Sequence, residues 1–211
     1  TWIMKTRTDQ RVYNPNVLGF LVAIAKTFPP AKTANQRSRI IGIGQGTLKF
    51  APYHVTDQTL FGHADDMLKY WTPPLCESNL KFSEVQEKTH ALYVNSTIRD
   101  LCSTNSPEAY LGSQFLLRVG RKELKWTLED SWSAFKDHFC FVDYSATDFF
   151  WHKAQKATLT EFTTRYDIVT NRQEMNFSEW LLLYSGQTPC ELARDYEEAA
   201  EMRFNSIINR P

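Results

Sequence analysis

The chain has 211 residues, 24 bases against 24 acids, 42 % apolar residues and 23 % charged ones. These values are ordinary for a globular protein of one large or two small domains, and they exclude a low-complexity or collagen-like chain. Its best apolar run, Val17 to Ala25, has nine residues where a membrane span needs about twenty.

The zero net charge hides a division along the chain. Residues 1–55 hold eight bases and one acid, Asp9, whereas residues 56–211 hold 16 bases and 23 acids. Such polarity suits an anionic partner at the basic end or head-to-tail attraction between copies. No basic-then-apolar-then-small pattern opens the sequence, so no signal peptide is expected.

Helix-start signals recur in chain order. Asn14 precedes Pro15, a cap followed by proline at a first helical position, and residues 15–28 are apolar nearly all round. That predicts a centrally placed helix. Residues 40–50, IIGIGQGTLKF, carry glycines at 42, 44 and 46 and predict a short hairpin or extended loop. Thr56 opens a helix whose stripe is Leu60, Ala64, Leu68 and Trp71. Ser83 with Gln86 introduces Ala91, Val94, Ile98 and Leu101, and Ser106 precedes Pro107 and Glu108. Thr127 pairs with Asp130 ahead of Leu128, Trp132, Phe135 and Phe139. Leu159, Phe162, Tyr166 and Val169 form another stripe. The capping box Thr188-Pro189-Cys190-Glu191 starts a last helix through Leu192, Tyr196, Ala199 and Arg203.

The fold expected is mainly α: a single compact domain over 1–211 with about eight helices and one hairpin or loop near 40–50. Pro29-Pro30 and Pro73-Pro74 read as corners, with a two-lobed division near 73–80 as the alternative.

Cys76, Cys102, Cys140 and Cys190 are spaced 26, 38 and 50 residues apart, which suits free thiols better than a zinc site. The sequons at Asn95 and Asn176 are short patterns and carry no weight. Lys32, Arg37, Arg39 and Lys49 flank the glycine segment, where cations beside flexible backbone suit phosphate contacts. Lys5, Arg7 and Arg11 suit an arm along a nucleic-acid backbone; the plainer alternative for all of these is a solvated basic surface. The glycine string G-I-G-Q-G lacks the spacing of a dinucleotide cradle and the GK[ST] ending of a P-loop. Eight aromatics between Trp132 and Trp151 read as core before they read as a base-stacking platform.

Three sets of residues bear on catalysis. His63, Asp65 and Asp66, and Asp148 with His152, suggest a helical metal-dependent phosphohydrolase, but HADD is not an adjacent His-Asp pair. In FVDYSATDFF, Asp143 and Asp148 stand several residues apart, a spacing similar to that of a polymerase metal-binding strand. A chain of this length is too short for a full polymerase and no GDD string follows, so Asp143 or Ser145 is expected to be a turn or helix cap. No GxSxG or cysteine-protease context is present.

The function expected is therefore non-enzymatic: a self-assembling, nucleocapsid- or coat-like protein. It would bind nucleic acid, RNA in preference, through Lys32, Arg37, Arg39 and Lys49, without catalytic residues, metal or cofactor. The acidic carboxy-terminal helix with Glu191, Asp195, Glu197, Glu198 and Glu201 would meet the basic end of another copy. The expected setting is the cytoplasm or a virion, without membrane contact. The alternatives are the metal-dependent phosphohydrolase and a helical protein-interaction module.

Overall fold

The computed structural model describes residues 1–43, 46–49, 51–75, 107–151 and 174–187. The helices expected behind Ser83, at 159–169 and behind Thr188, the acidic carboxy-terminal face, and Cys76, Cys102 and Cys190 lie outside the described residues.

The chain is mixed α/β, which overturns the mainly helical expectation. In order come β1 (Trp2–Lys5), β2 (Gln10–Val12), α1 (Val17–Thr27), β3 (Ile40–Ile43), β4 (Leu60–His63) and α2 (Ala64–Trp71). They are followed by α3 (Pro107–Arg118), α4 (Leu128–His138), β5 (Phe139–Val142), α5 (Tyr144–Thr147), β6 (Phe149–Trp151) and α6 (Phe177–Tyr184). The six helices among the described residues are joined by a four-stranded sheet of order β1-β4-β3-β5 and a two-stranded ribbon of β2 with β6. The sheet is antiparallel except for β3 and β5, which run parallel with Ile40 opposite Phe139 and Ile43 opposite Val142.

The first four residues of the glycine segment, Ile40–Ile43, thus form a sheet strand rather than a hairpin or loop. Ile40, Ile41 and Ile43 are fully buried, as expected for a strand covered on both faces. Gly42 is there for space: a Cβ would stand 3.0 Å from the Phe141 ring and 3.3 Å from Thr56. The ring of Phe139 packs against Tyr70, Phe115 and Phe135, at 6.5, 5.4 and 6.2 Å between centroids, and so joins α2, α3 and α4 to the sheet.

Two expected helices begin later than their sequence signals. Leu60–His63 pairs with β1 and β3, so α2 starts only at Ala64, with the His63 side chain accepting a hydrogen bond from Asp65 N–H. Its buried face is Asp66, Met67 and Tyr70, while Leu68 points outward. Pro15 lies before α1, which begins at Val17; Asn14 Oδ1 accepts from Asn16 N–H instead. Nor is α1 central, since only Val17, Leu21 and Ala25 are buried and Leu18 is exposed. By contrast α4 begins where expected, with Thr127 Oγ1 accepting from Asp130 N–H at 3.2 Å. It ends at His138, and Phe139 enters β5. No helix among the described residues is long and apolar enough to cross a membrane.

Candidate nucleic-acid interface and carboxylate pair

The basic segment before β3 is fastened down by the amino terminus of α2. Asp66, fully buried, accepts hydrogen bonds from the backbone N–H of Arg37 (3.0 Å) and Ser38 (2.8 Å). Burial raises its pKa, against the opposing pull of the Ser38 and Arg37 N–H groups. Arg37 itself pairs with Asp65 at 2.6 Å, on the surface. Two acids in the first turn of α2 thus complement both the helix dipole and the basic segment.

Of the four proposed phosphate contacts, two are inside the protein. Arg39 is 3 % exposed. Its guanidinium donates to the carbonyls of Phe28 (3.1 Å), Lys136 and Phe139 (3.3 Å), and it lies over the rings of Trp180 and Tyr184. Lys49 is 4 % exposed and pairs with Glu179 at 2.6 Å. Arg39 and Lys49 therefore tie α4, β5 and α6 together, and their burial removes them from a phosphate-binding surface. Lys32 is exposed, and Arg37 is exposed but neutralised by its acid.

The amino-terminal arm is not an arm. Lys5 lies in β1 and donates to the carbonyls of Asp57 and Gln58. Arg7 pairs with Asp9 at 3.0 Å, and that bond, with one from Trp151, holds the Asp9 carboxyl down to about 2. Arg11 lies in β2.

At the opposite end of the sheet stands the pair Asp143 and Asp148. Four residues of β5 separate it from the Arg39 end, about 13 Å at strand spacing. The buried run FCFV delivers Asp143 to the carboxyl end of β5. One helical turn, Tyr144–Thr147, follows, and Asp148 closes it in the left-handed conformation at φ 49°, which aspartate tolerates better than most residues. Asp143 occupies the N-cap position of α5 as expected, but its side chain makes no cap bond there. Oδ1 instead accepts from Phe177 N–H at 3.2 Å, bringing the start of α6 beside the pair. Asp143 is half-buried, Asp148 is exposed, and neither takes part in an ion pair among the described residues.

His63, Asp65 and Asp66 are committed to the α2 terminus; Asp148 is followed by β6, and His152 lies outside the described residues. Among the described residues no group of three or more His, Cys, Asp or Glu is placed to hold a metal ion. Two carboxylates alone are therefore a poor cage for a structural ion. They do suit Mg²⁺, which keeps waters and commonly takes one or two carboxylates plus the phosphates of its substrate. Among the described residues no buried thiolate competes for that role, since burial pushes the Cys140 thiol up.

The sequence signals for this pair were its spacing and the turn expected at Asp143; what they did not supply was its place at the end of a sheet strand. The aromatic segment divides as well: Trp132, Phe135, Phe139 and Phe141 are core, while Tyr144 is exposed. No family model matches the chain, and no curated protein or solved structure matches it.

Proposed function

We propose that this chain binds nucleic acid and contributes one carboxylate-bearing segment of a divalent-cation-dependent nucleotidyl-transfer centre, of the kind polymerases use. The observation that carries this is the arrangement strand, Asp143, single helical turn, Asp148, at the open end of a mixed sheet. A strand end fixes Asp143 against a rigid backbone, and Asp148 follows one helical turn later, immediately before β6. A Mg²⁺ held by Asp143 and Asp148 would supply charge neutralisation at the transferred phosphate. This chain's residues hold the carboxylates in place. Phe177 N–H fixes Asp143 Oδ1 and leaves Oδ2 for a ligand, while the left-handed turn sets the Asp148 backbone.

The test is Mn²⁺ binding, followed by its paramagnetic resonance, with and without a nucleoside triphosphate. Binding is expected to be weak for the ion alone and to tighten with the nucleotide present, because the phosphates complete the coordination. Asp143→Asn and Asp148→Asn each remove the nucleotide-dependent part. Equal Mn²⁺–nucleotide affinity in wild type and both variants rejects the proposal.

A second reading, a coat-like nucleic-acid-binding protein without chemistry, is favoured by the exposed Lys32 at the far end of the sheet, with Arg37 contributing once it leaves its Asp65 partner. It predicts RNA binding that weakens steeply with salt and on neutralising those two residues, with no dependence on Asp143.

A further inference from the structure

The ribbon of β2 and β6 carries an aromatic and cationic surface for which core packing offers no explanation. The register places Arg11 opposite Phe150 and Val12 opposite Phe149. Since strand side chains alternate, Arg11, Tyr13 and Phe150 share one face, and Val12 and Phe149 the other. Val12 and Phe149 pack against the core. Tyr13 is 60 % exposed, and its ring meets Phe150 edge-on at 6.2 Å. Arg11 is exposed and takes part in no ion pair among the described residues. Its Nη1 donates to Thr8 O (2.9 Å) and Gln10 O (2.8 Å), which holds the guanidinium close to the strand.

The same ribbon is fastened to the carboxylate turn. Tyr13 N–H donates to Asp148 O at 3.0 Å, and Asn14 Nδ2 donates to Ala146 O at 3.4 Å. Platform and carboxylates are thus parts of one hydrogen-bonded unit.

We infer that this face docks single-stranded nucleic acid, with bases against Tyr13 and Phe150 and a phosphate at Arg11, so that the strand leads to Asp148. The inference rests on the nucleotidyl-transfer reading for what the strand is delivered to, but the binding itself does not. Exposed rings take up unpaired bases of any sequence because every base has a π face, whereas a duplex keeps those faces stacked internally. An unneutralised arginine beside the rings supplies the backbone contact.

The experiment is fluorescence anisotropy of a labelled oligouridine of about ten nucleotides, a length within the usual range for such surfaces, and of the same strand in a duplex. It is run in EDTA so that no cation contributes. Wild type is expected to prefer the single strand. Tyr13→Ala weakens that binding by about five- to a hundredfold, the range for loss of one stacked base. Arg11→Gln lowers the slope of log affinity against log salt by about 0.7, the value for one single-strand phosphate. A 5-iodouridine oligonucleotide should crosslink within residues 10–13 or 149–151, a readout that needs no variant. Unchanged affinity in Tyr13→Ala, preference for the duplex, or crosslinks only elsewhere overturns the inference. Failure here with nucleotide-dependent Mn²⁺ binding intact rejects the platform alone. A working platform with Mn²⁺ binding indifferent to Asp143→Asn rejects the transfer reading alone.

Discussion

Tyr53 shows how much one side chain organises in this protein. Its backbone lies at φ 57°, its N–H donates to Ser131 Oγ, and its hydroxyl donates to Asp130 and accepts from Trp126 N–H. Burial and the adjacent Asp130 raise the phenol pKa. The Tyr53 carbonyl is fixed by this network and lies 2.2 Å from where a Cβ on Gly112 would stand. Gly112→Ala therefore opposes two effects. Alanine improves helix propensity by about 1 kcal/mol, whereas overpacking against backbone costs about 1–3 kcal/mol or more. Backbone cannot rotate away as a side chain can, so the second effect wins and the urea midpoint is expected to fall; a rise would show that Tyr53 yields. His138 gives a pH signature. Gln36 Nε2 donates to Ser38 O and His138 O, which leaves Oε1 to accept from His138 Nδ1–H. Burial first, then the charges of Arg121 and Arg39, lower the imidazole pKa to about 4. The folded state thus binds fewer protons than the unfolded one between that value and about 6.5. Stability is present above this window and is lost as pH falls through it, by about 3 kcal/mol in all. Urea titrations at pH 7 and 4.5 should show a smaller loss for His138→Gln than for wild type; equal losses reject a neutral buried imidazole.

At the scale of elements, capping chemistry was the legible part of the sequence and strand content was not. Thr127 with Asp130 marked α4 because a cap side chain and a periodic stripe are both local signals. β4 escaped because its four residues fit the same apolar stripe as a helix, and only pairing with β1 and β3 decides between them. The exposure of Leu68 marks that error: it was placed on the buried stripe and is on the outer face. β3 escaped because glycine was read as turn chemistry, when Gly42 serves the Phe141 ring. The start of α6 is signalled in the sequence only by Asn176, whose residue pattern also reads as a sequon. Asn176 Oδ1 accepts from Glu179 N–H at 2.8 Å, and Glu179 Oε2 accepts from Asn176 N–H at 3.2 Å. Glu179 also holds Lys49, so this box joins a helix start to a buried ion pair. Asn176→Ala should cost about 1 kcal/mol, seen as a lower urea midpoint with an unchanged slope. No shift would mean that the Lys49 pair alone sets the position of α6.

For the whole molecule, charge along the sequence proved a weak guide to charge on the surface. Of the eight bases in residues 1–55, Lys5 is turned to carbonyls, Arg7 and Arg37 meet acids, and Arg39 and Lys49 are buried. Long cationic side chains bridge elements as readily as they bind partners, and sequence does not distinguish the two uses. The carboxylate spacing was visible from the start, but its meaning depends on a strand end that only the assembled sheet creates. That sheet has a further consequence. Ile40 meets Phe139 in the parallel pair, 99 residues later in the chain. Ring closure of that span carries an entropic cost that must be met before the pairing returns any stabilisation. During synthesis, β3 therefore keeps one edge unpaired until Val142 has left the ribosome. Nascent chains halted before that point should recruit holding chaperones, and those released just beyond it should not.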